Sequence, residues 1–550
     1  MDSYRPNRKI EGAYDQSVAA VCLNGTFVGK TSEGVTAFRG IPFASPPVGK
    51  LRWKEPVPVV ASDGVYEACV NGPSPIQTKL ESERASQYFQ SEDCLYLNVW
   101  TADGYAGQKR CVMVFIHGGA YGWGGTADPL YDGHNFVKAH PEIVLVTIAY
   151  RVGIAGFIDF SNVPGGEAYA TSGNLGLLDQ ICALQYVQGN IHAFGGDPTK
   201  VTIFGESAGG GSVSLLPLIP EAKGLFSRVI AESGSVALTY SRKECLGLTR
   251  RLLKETKARR MEDLLALTTE QLQTVNEKLN DYNNFPERDG IVLPEDLYAA
   301  YERGDAQPVE MLLGTNADEL RYWILDVGGV AKYRILSNVM LNSAMRTISR
   351  EDRKRVEAFL MIQPGDGLQD RPWQITELFN ELLFRLPAIR QGQTHALNGN
   401  PVYMYYWRYP SSVPDLGACH AVELAYVFNN LQETIYSGEG INAELAARVQ
   451  QMWVNFATTG DPSLPGLRWE TYSREARKTM ILDEKPYLKI NLHETGRRLL
   501  YPLTDYRFNG NPEMLSSEVK PTVLKAAAAA AGAGTLALVL WLALRKKGET

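Results

Sequence analysis

The stretch with the clearest chemical content is Lys200 to Gly211, KVTIFGESAGGG. An apolar strand runs into Gly205-Glu206-Ser207-Ala208-Gly209, and a helical pattern follows, which is G-x-S-x-G in strand–turn–helix context. A nucleophilic serine needs a turn tight enough to lift its hydroxyl above the sheet. The residues two positions away must therefore be nearly devoid of side chain. Ser207 is the expected nucleophile, and the chemistry is covalent acyl transfer. The N–H of Ala208, at the start of the helix, offers partial positive charge to a developing oxyanion.

Upstream, the run Val112–Ile116 ends in His117-Gly118-Gly119-Ala120-Tyr121-Gly122. Such an HGGG-type loop supplies further amides to an oxyanion hole, because small residues let the main chain approach a carbonyl oxygen. A base is also required. Of seven histidines, His395, His420 and His493 follow Ser207. His395 is at a polar helix end and His493 in a charged stretch. His420 follows a Pro414-Asp415-Leu416-Gly417 turn and precedes an apolar helical run, so a rigid element holds it and it is the candidate base. For the acid, the run Val309–Leu313 leads into Gly314-Thr315-Asn316-Ala317-Asp318-Glu319, at the carboxyl edge of a parallel sheet. Residue types do not separate Asp318 from Glu319. Either would hold the imidazole in one tautomer and stabilise the imidazolium.

The elements that must position these groups alternate along the chain. Apolar runs at Val112–Ile116, Ile143–Tyr150, Val201–Phe204, Val229–Ala231, Val309–Leu313 and Val402–Trp407 are separated by helical patterns, including Leu177–Val187 and Leu424–Phe428. Continuous apolar strands between helices indicate a large, mostly parallel central sheet covered on both faces. The first ~100 residues read instead as antiparallel hairpins at a sheet edge. One α/β domain over 1–508 is expected. With 45% hydrophobic and 21% charged residues, the 550-residue chain is neither disordered nor a disulfide scaffold. A net charge of −6 argues against nucleic acid as a partner.

The C-terminal end differs. Residues 526–544, AAAAAAGAGTLALVLWLAL, carry no charge, and a helix of that length nearly matches a hydrocarbon core of roughly 30 Å. One C-terminal transmembrane helix is expected there, after a linker at 509–525 and before a short basic tail at 545–550. The N-terminus lacks a signal-peptide pattern, which places the catalytic domain in the cytosol; lumenal or extracellular exposure is the alternative. Arg545-Lys546-Lys547 by itself would favour the opposite orientation, but a bulky domain needs an export signal. A single sequon, Asn24-Gly25-Thr26, falls in an expected hairpin turn.

Taken together, these motifs resemble the type-B carboxylesterase/lipase family, the cholinesterase-like branch of the α/β-hydrolase fold. The resemblance also takes in FRGIPFA (38–44), SEDCLYLNV (91–99), YRVG (150–153), GNLGLLDQ (173–180) and GACHAVE around His420. It implies a Ser207–Glu319–His420 triad, an oxyanion hole of Gly119, Ala120 and Ala208, and ester hydrolysis through an acyl-enzyme without metal or cofactor. It further implies ion pairs Arg39–Glu92 and Arg151–Asp179 and a disulfide between Cys69 and Cys94. Two departures stand out. Ala120 replaces the usual third loop glycine, a variant associated with bulky alcohol esters. Arg84 replaces the choline-binding tryptophan, which argues against choline esters. A small lipophilic ester is the expected substrate and no protein partner is implied. Lactone, thioester or acyl-transfer chemistry on the same triad, and a non-catalytic adhesion role, are the alternatives.

Overall fold

Eleven strands form one large sheet in this computed structural model, which describes residues 4–79, 84–279, 284–362 and 371–506. In chain order they are β1 (Lys30–Ser32), β2 (Val35–Pro42), β3 (Tyr96–Ala102), β4 (Arg110–Ile116), β5 (Ile143–Ile148) and β6 (Gly196–Glu206). They continue with β7 (Arg228–Glu232), β8 (Glu310–Asn316), β9 (Val402–Trp407), β10 (Lys478–Leu482) and β11 (Tyr487–Ile490). Across the sheet the order is β11-β10-β9-β8-β7-β6-β4-β5-β3-β2-β1. From β10 to β5 every pairing is parallel, while β1, β2, β3 and β11 join antiparallel at the two edges. The parallel strands are buried on both faces, as their unbroken apolar runs require: β5 is buried at every position.

Helices cover the sheet. Those that bear on the site are α1 (Leu175–Asn190), α2 (Ala208–Leu215), α3 (Arg371–Asn380), α4 (Leu386–Leu397) and α5 (Ala443–Thr459). A π-helical turn, Glu381–Arg385, joins α3 to α4. Asn24, the sequon asparagine, is buried, donating to Pro42 O at 2.9 Å and accepting from Tyr186 Oη at 2.8 Å. Its amide is therefore committed inside the fold.

The implied pair Arg151–Asp179 is present and fully buried, with Nε and Nη2 of Arg151 donating at 2.8 and 2.7 Å. The pair Arg39–Glu92 does not form. Arg39 reaches Asp132 at 2.6 Å, and Arg52 takes Glu92 in a two-pronged contact at 2.6 and 2.7 Å. The Cys69–Cys94 disulfide does not form either, and all seven cysteines are free thiols. Cys69 is exposed and bridges to Arg39 on β2, whereas Cys94 is buried beside Leu95, whose carbonyl accepts from Phe43 N just past the end of β2, so the two thiols lie beside different stretches of chain.

No helix among the described residues is long and apolar enough to cross a membrane. The linker, span and tail expected over 509–550 lie outside the described residues.

Candidate active site

Strand register sets the site. Ile116 pairs with Gly205, Glu206 with Glu232, and Glu232 with Gly314. The segments starting at His117, Ser207, Ser233 and Ala317 therefore leave neighbouring parallel strands at one carboxyl edge, where a parallel sheet places its chemistry.

Ser207 sits between β6 and α2 with φ +56° and ψ −118°, a conformation a non-glycine residue holds only at a cost of order 1–3 kcal/mol. Its N–H donates to Glu232 O at 2.8 Å, and its carbonyl accepts from Gly211 N at 2.8 Å. The flanking glycines are dictated by contact. A Cβ on Gly209 would stand 1.9 Å from Ile116 O, and one on Gly205 would stand 2.6 Å from both Ile116 O and the Gly209 carbonyl carbon. The helix and the strand end approach too closely for any side chain.

His420 and Glu319, separated by a hundred residues of chain, meet. Nδ1 of His420 lies 2.6 Å from Oε2 of Glu319. The other oxygen of that carboxylate accepts from Ser233 Oγ and from Asn316 N, both at 2.7 Å, so the acid is fixed. Asp318 turns elsewhere: it accepts from Ala418 N at 2.9 Å and pairs with Arg321 at 3.0 Å. Geometry thus separates two acids that residue type left equivalent. The imidazole packs against Phe384 and Tyr322, at centroid distances of 5.0 and 5.9 Å. Its Nε2 faces Oε1 of Glu206 at 3.2 Å, and among these described residues no hydrogen bond joins it to Ser207.

Burial alone would lower the His420 pKa. The charge of Glu206, the hydrogen bond and charge of Glu319, and the charge of Glu423 outweigh it and raise the value to about 9. Two more buried acids stand behind. Glu423, three residues past His420, accepts from Asn316 Nδ2 at 2.6 Å and is pushed up to about 7 by burial and by Glu319. Glu232 accepts from Trp453 Nε1 on α5 at 2.6 Å, and burial, then Glu423, raises it well above the usual carboxylate range.

The loop after β4 abuts the nucleophile. A Cβ on Gly118 would lie 3.1 Å from that of Ser207. Gly119, Ala120 and Tyr121 all have positive φ (+102°, +49°, +57°). The tight turn is held by Gly119 O accepting from Gly122 N and Trp123 N at 2.9 and 3.0 Å. No acceptor among the described residues takes the N–H of Gly119, Ala120 or Ala208, which leaves these three amides for a ligand. His117 is structural: it stacks on Tyr150 at 4.3 Å, and burial lowers its pKa to about 4.

The remaining candidates lie apart. His395, buried in α4, contacts Val309 O at 2.7 Å, and His493 faces Glu381. Arg84 pairs with Asp128 at 3.0 Å and with Glu433. The charged residues that sequence reasoning missed are Glu206, Glu232 and Glu423. Glu206 and Glu423 stand within the quoted motifs, but residue type gives no sign that they are buried.

A strained serine between strand and helix, a histidine held by a buried acid, and open amides beside them define a serine hydrolase on an α/β-hydrolase scaffold. The chain belongs to the carboxylesterase family, whose model matches residues 15–499. It is 36% identical to a para-nitrobenzyl esterase of Bacillus subtilis over 502 residues, 87% of this chain and 97% of that one. It is 32% identical to a human cocaine esterase over 509 residues, 85% of each. A solved carboxylesterase from Geobacillus stearothermophilus superposes with a TM-score of 0.78 at 33% identity, covering 88% of this chain and 99% of that one. The family consists of carboxylic ester hydrolases, and the protein is a serine esterase of that kind.

Proposed function

We propose that Ser207, His420 and Glu319 act as the triad. His420 takes the hydroxyl proton as Ser207 attacks an ester carbonyl, and the amides of Gly119, Ala120 and Ala208 stabilise the oxyanion. His420 then gives the proton to the leaving alcohol, and water releases the acid from the acyl-enzyme. The observation that carries this reading is the 2.6 Å contact between His420 Nδ1 and Glu319, which fixes the tautomer a base requires. For the proton transfer, the ring exchanges Glu206 for its chain neighbour Ser207, a contact that substrate binding completes.

The substrate proposed is a small lipophilic ester, and Arg84, neutralised by two carboxylates, offers a quaternary ammonium no aromatic face. Membrane attachment through 526–544 is proposed from the uncharged run in the sequence.

The test is turnover of p-nitrophenyl acetate by the full chain, with labelling by a fluorophosphonate. Ser207→Ala should lose at least about a thousandfold in kcat and all labelling; half-retained activity would refute the assignment. A panel of acyl chains, lactones and thioesters separates hydrolysis of simple esters from the alternatives. Alkaline carbonate washing of membranes tests the anchor: the full chain should stay in the pellet and a chain ending at residue 508 should not.

A further inference from the structure

Away from the nucleophile, one cluster brings an imidazole to two carboxylates. Glu377 lies on α3, and Glu381, four residues on, opens the π-helical turn, so both project from one face. His493 stands at the start of the short helix Glu494–Leu500. One donor atom from each residue falls within 4.8 Å of the others. Nδ1 of His493 is 3.3 Å from Oε1 of Glu381 and 3.8 Å from Oε1 of Glu377. Ligands held at 2.0–2.1 Å around a tetrahedral ion stand about 3.3 Å apart, so the imidazole and the Glu381 carboxylate are already at about the separation of neighbouring ligand groups.

A second observation points the same way. Glu381 is only 2% exposed; its Oε1 accepts from Arg385 Nη1 at 2.6 Å, but its Oε2 is buried with no hydrogen-bond partner among the described residues. A buried carboxylate oxygen with no donor is costly unless something else claims it. The side chain of His493 is 38% exposed, which gives an ion a way in from solvent.

We propose that Glu377, Glu381 and His493 bind a single divalent cation of the Zn2+ class, with Glu381 contributing through Oε2 and water completing the shell. One imidazole with two carboxylates suits Zn2+ better than Ca2+ or Mg2+, which prefer all-oxygen sets. Arg385 keeps its hold on the other oxygen of Glu381. The site is distinct from the triad, although the same π-helical turn carries Phe384 against His420. Esterase activity would therefore mix binding with its effect on the base, so the test reads binding directly.

Full-length protein stripped with a chelator is titrated with Zn2+ by calorimetry. His493→Ala, Glu377→Gln and, as a control, His192→Ala are titrated alongside, each first checked for native circular dichroism. Wild type and His192→Ala should take up one equivalent with equal affinity. The other two variants should bind at least about tenfold more weakly. Absence of saturable binding by wild type, or undiminished affinity in either His493→Ala or Glu377→Gln, would overturn the site and leave His493 as an ion-pair partner of the two acids.

Discussion

Glu206 Oε1 lies 3.2 Å from Nε2 of His420, so the imidazole is held between two carboxylates, one on each ring nitrogen. An anion beside an imidazole stabilises its protonated form, and the free base must form before Ser207 can lose its proton. Glu206→Gln removes the largest of the charges that raise His420 toward 9. The acidic limb of kcat/KM should move down by about one pH unit or more. A pH–rate profile that keeps its limb in place would show that Glu206 does not govern the base.

Glu319 and Asp318 are adjacent in the chain and differ in what they touch. Glu319→Gln should lower kcat by about four orders of magnitude, because an amide does not hold the productive tautomer. Asp318→Asn gives up a partly exposed ion pair with Arg321, worth about 1 kcal/mol or less, and should show chiefly a lower Tm. Steady-state kinetics and calorimetry on the two variants distinguish the roles; equal losses in kcat would reverse this assignment.

Two glycines test the packing argument. Gly209→Ala forces a Cβ to within 1.9 Å of Ile116 O and should destabilise by more than about 4 kcal/mol or abolish folding. Gly189, near the end of α1, has nothing within 4 Å of its Cβ position. Gly189→Ala should raise stability by about 0.4–1 kcal/mol. Urea denaturation measures both.

Glu287 supplies a pH-dependent term in stability. It is buried, and burial, then the charges of Asp159 and Asp289, push its pKa from the ordinary 4.5 to about 8. A group whose pKa rises on folding contributes fully below its unfolded pKa, and the contribution is lost as pH climbs through the folded value. Wild type should therefore lose stability between pH 5 and 8 relative to Glu287→Gln, which stays neutral. The gap at pH 9 is expected to be on the order of a few kcal/mol. Parallel Tm curves for the two proteins across that range would contradict the shift.

The nucleophile was legible because its constraint is local. A strand ending at Glu206 and a helix starting at Ala208 leave Ser207 one conformation, and Gly205 and Gly209 record the close approach in their residue type. His420 was reached by elimination among few histidines, and its turn marked it as rigidly held. The acid stayed double from residue types alone, since Asp318 and Glu319 share a strand end; the resemblance favoured Glu319, and the loop at Ala418 takes up Asp318. The resemblance misplaced Arg39–Glu92 and Cys69–Cys94 because both depend on which segments lie side by side: here Arg52 takes Glu92, and the two cysteines lie beside different stretches of chain.

By itself the sequence determined the alternating α/β plan, the parallel core with antiparallel edges, the strained serine turn and the glycine loop beside it. Each of these is written in near-neighbour spacing and in residues that cannot be larger. The tertiary structure alone decided that four glutamates (206, 232, 319 and 423) are buried around the site, and that two of them, Glu206 and Glu319, touch His420. Charge on a side chain is visible in a sequence, but the loss of water around it is not. It is that loss, when β6, β7 and β8 bring their ends together, that makes Glu206, Glu319 and Glu423 strong enough to set the protonation of His420.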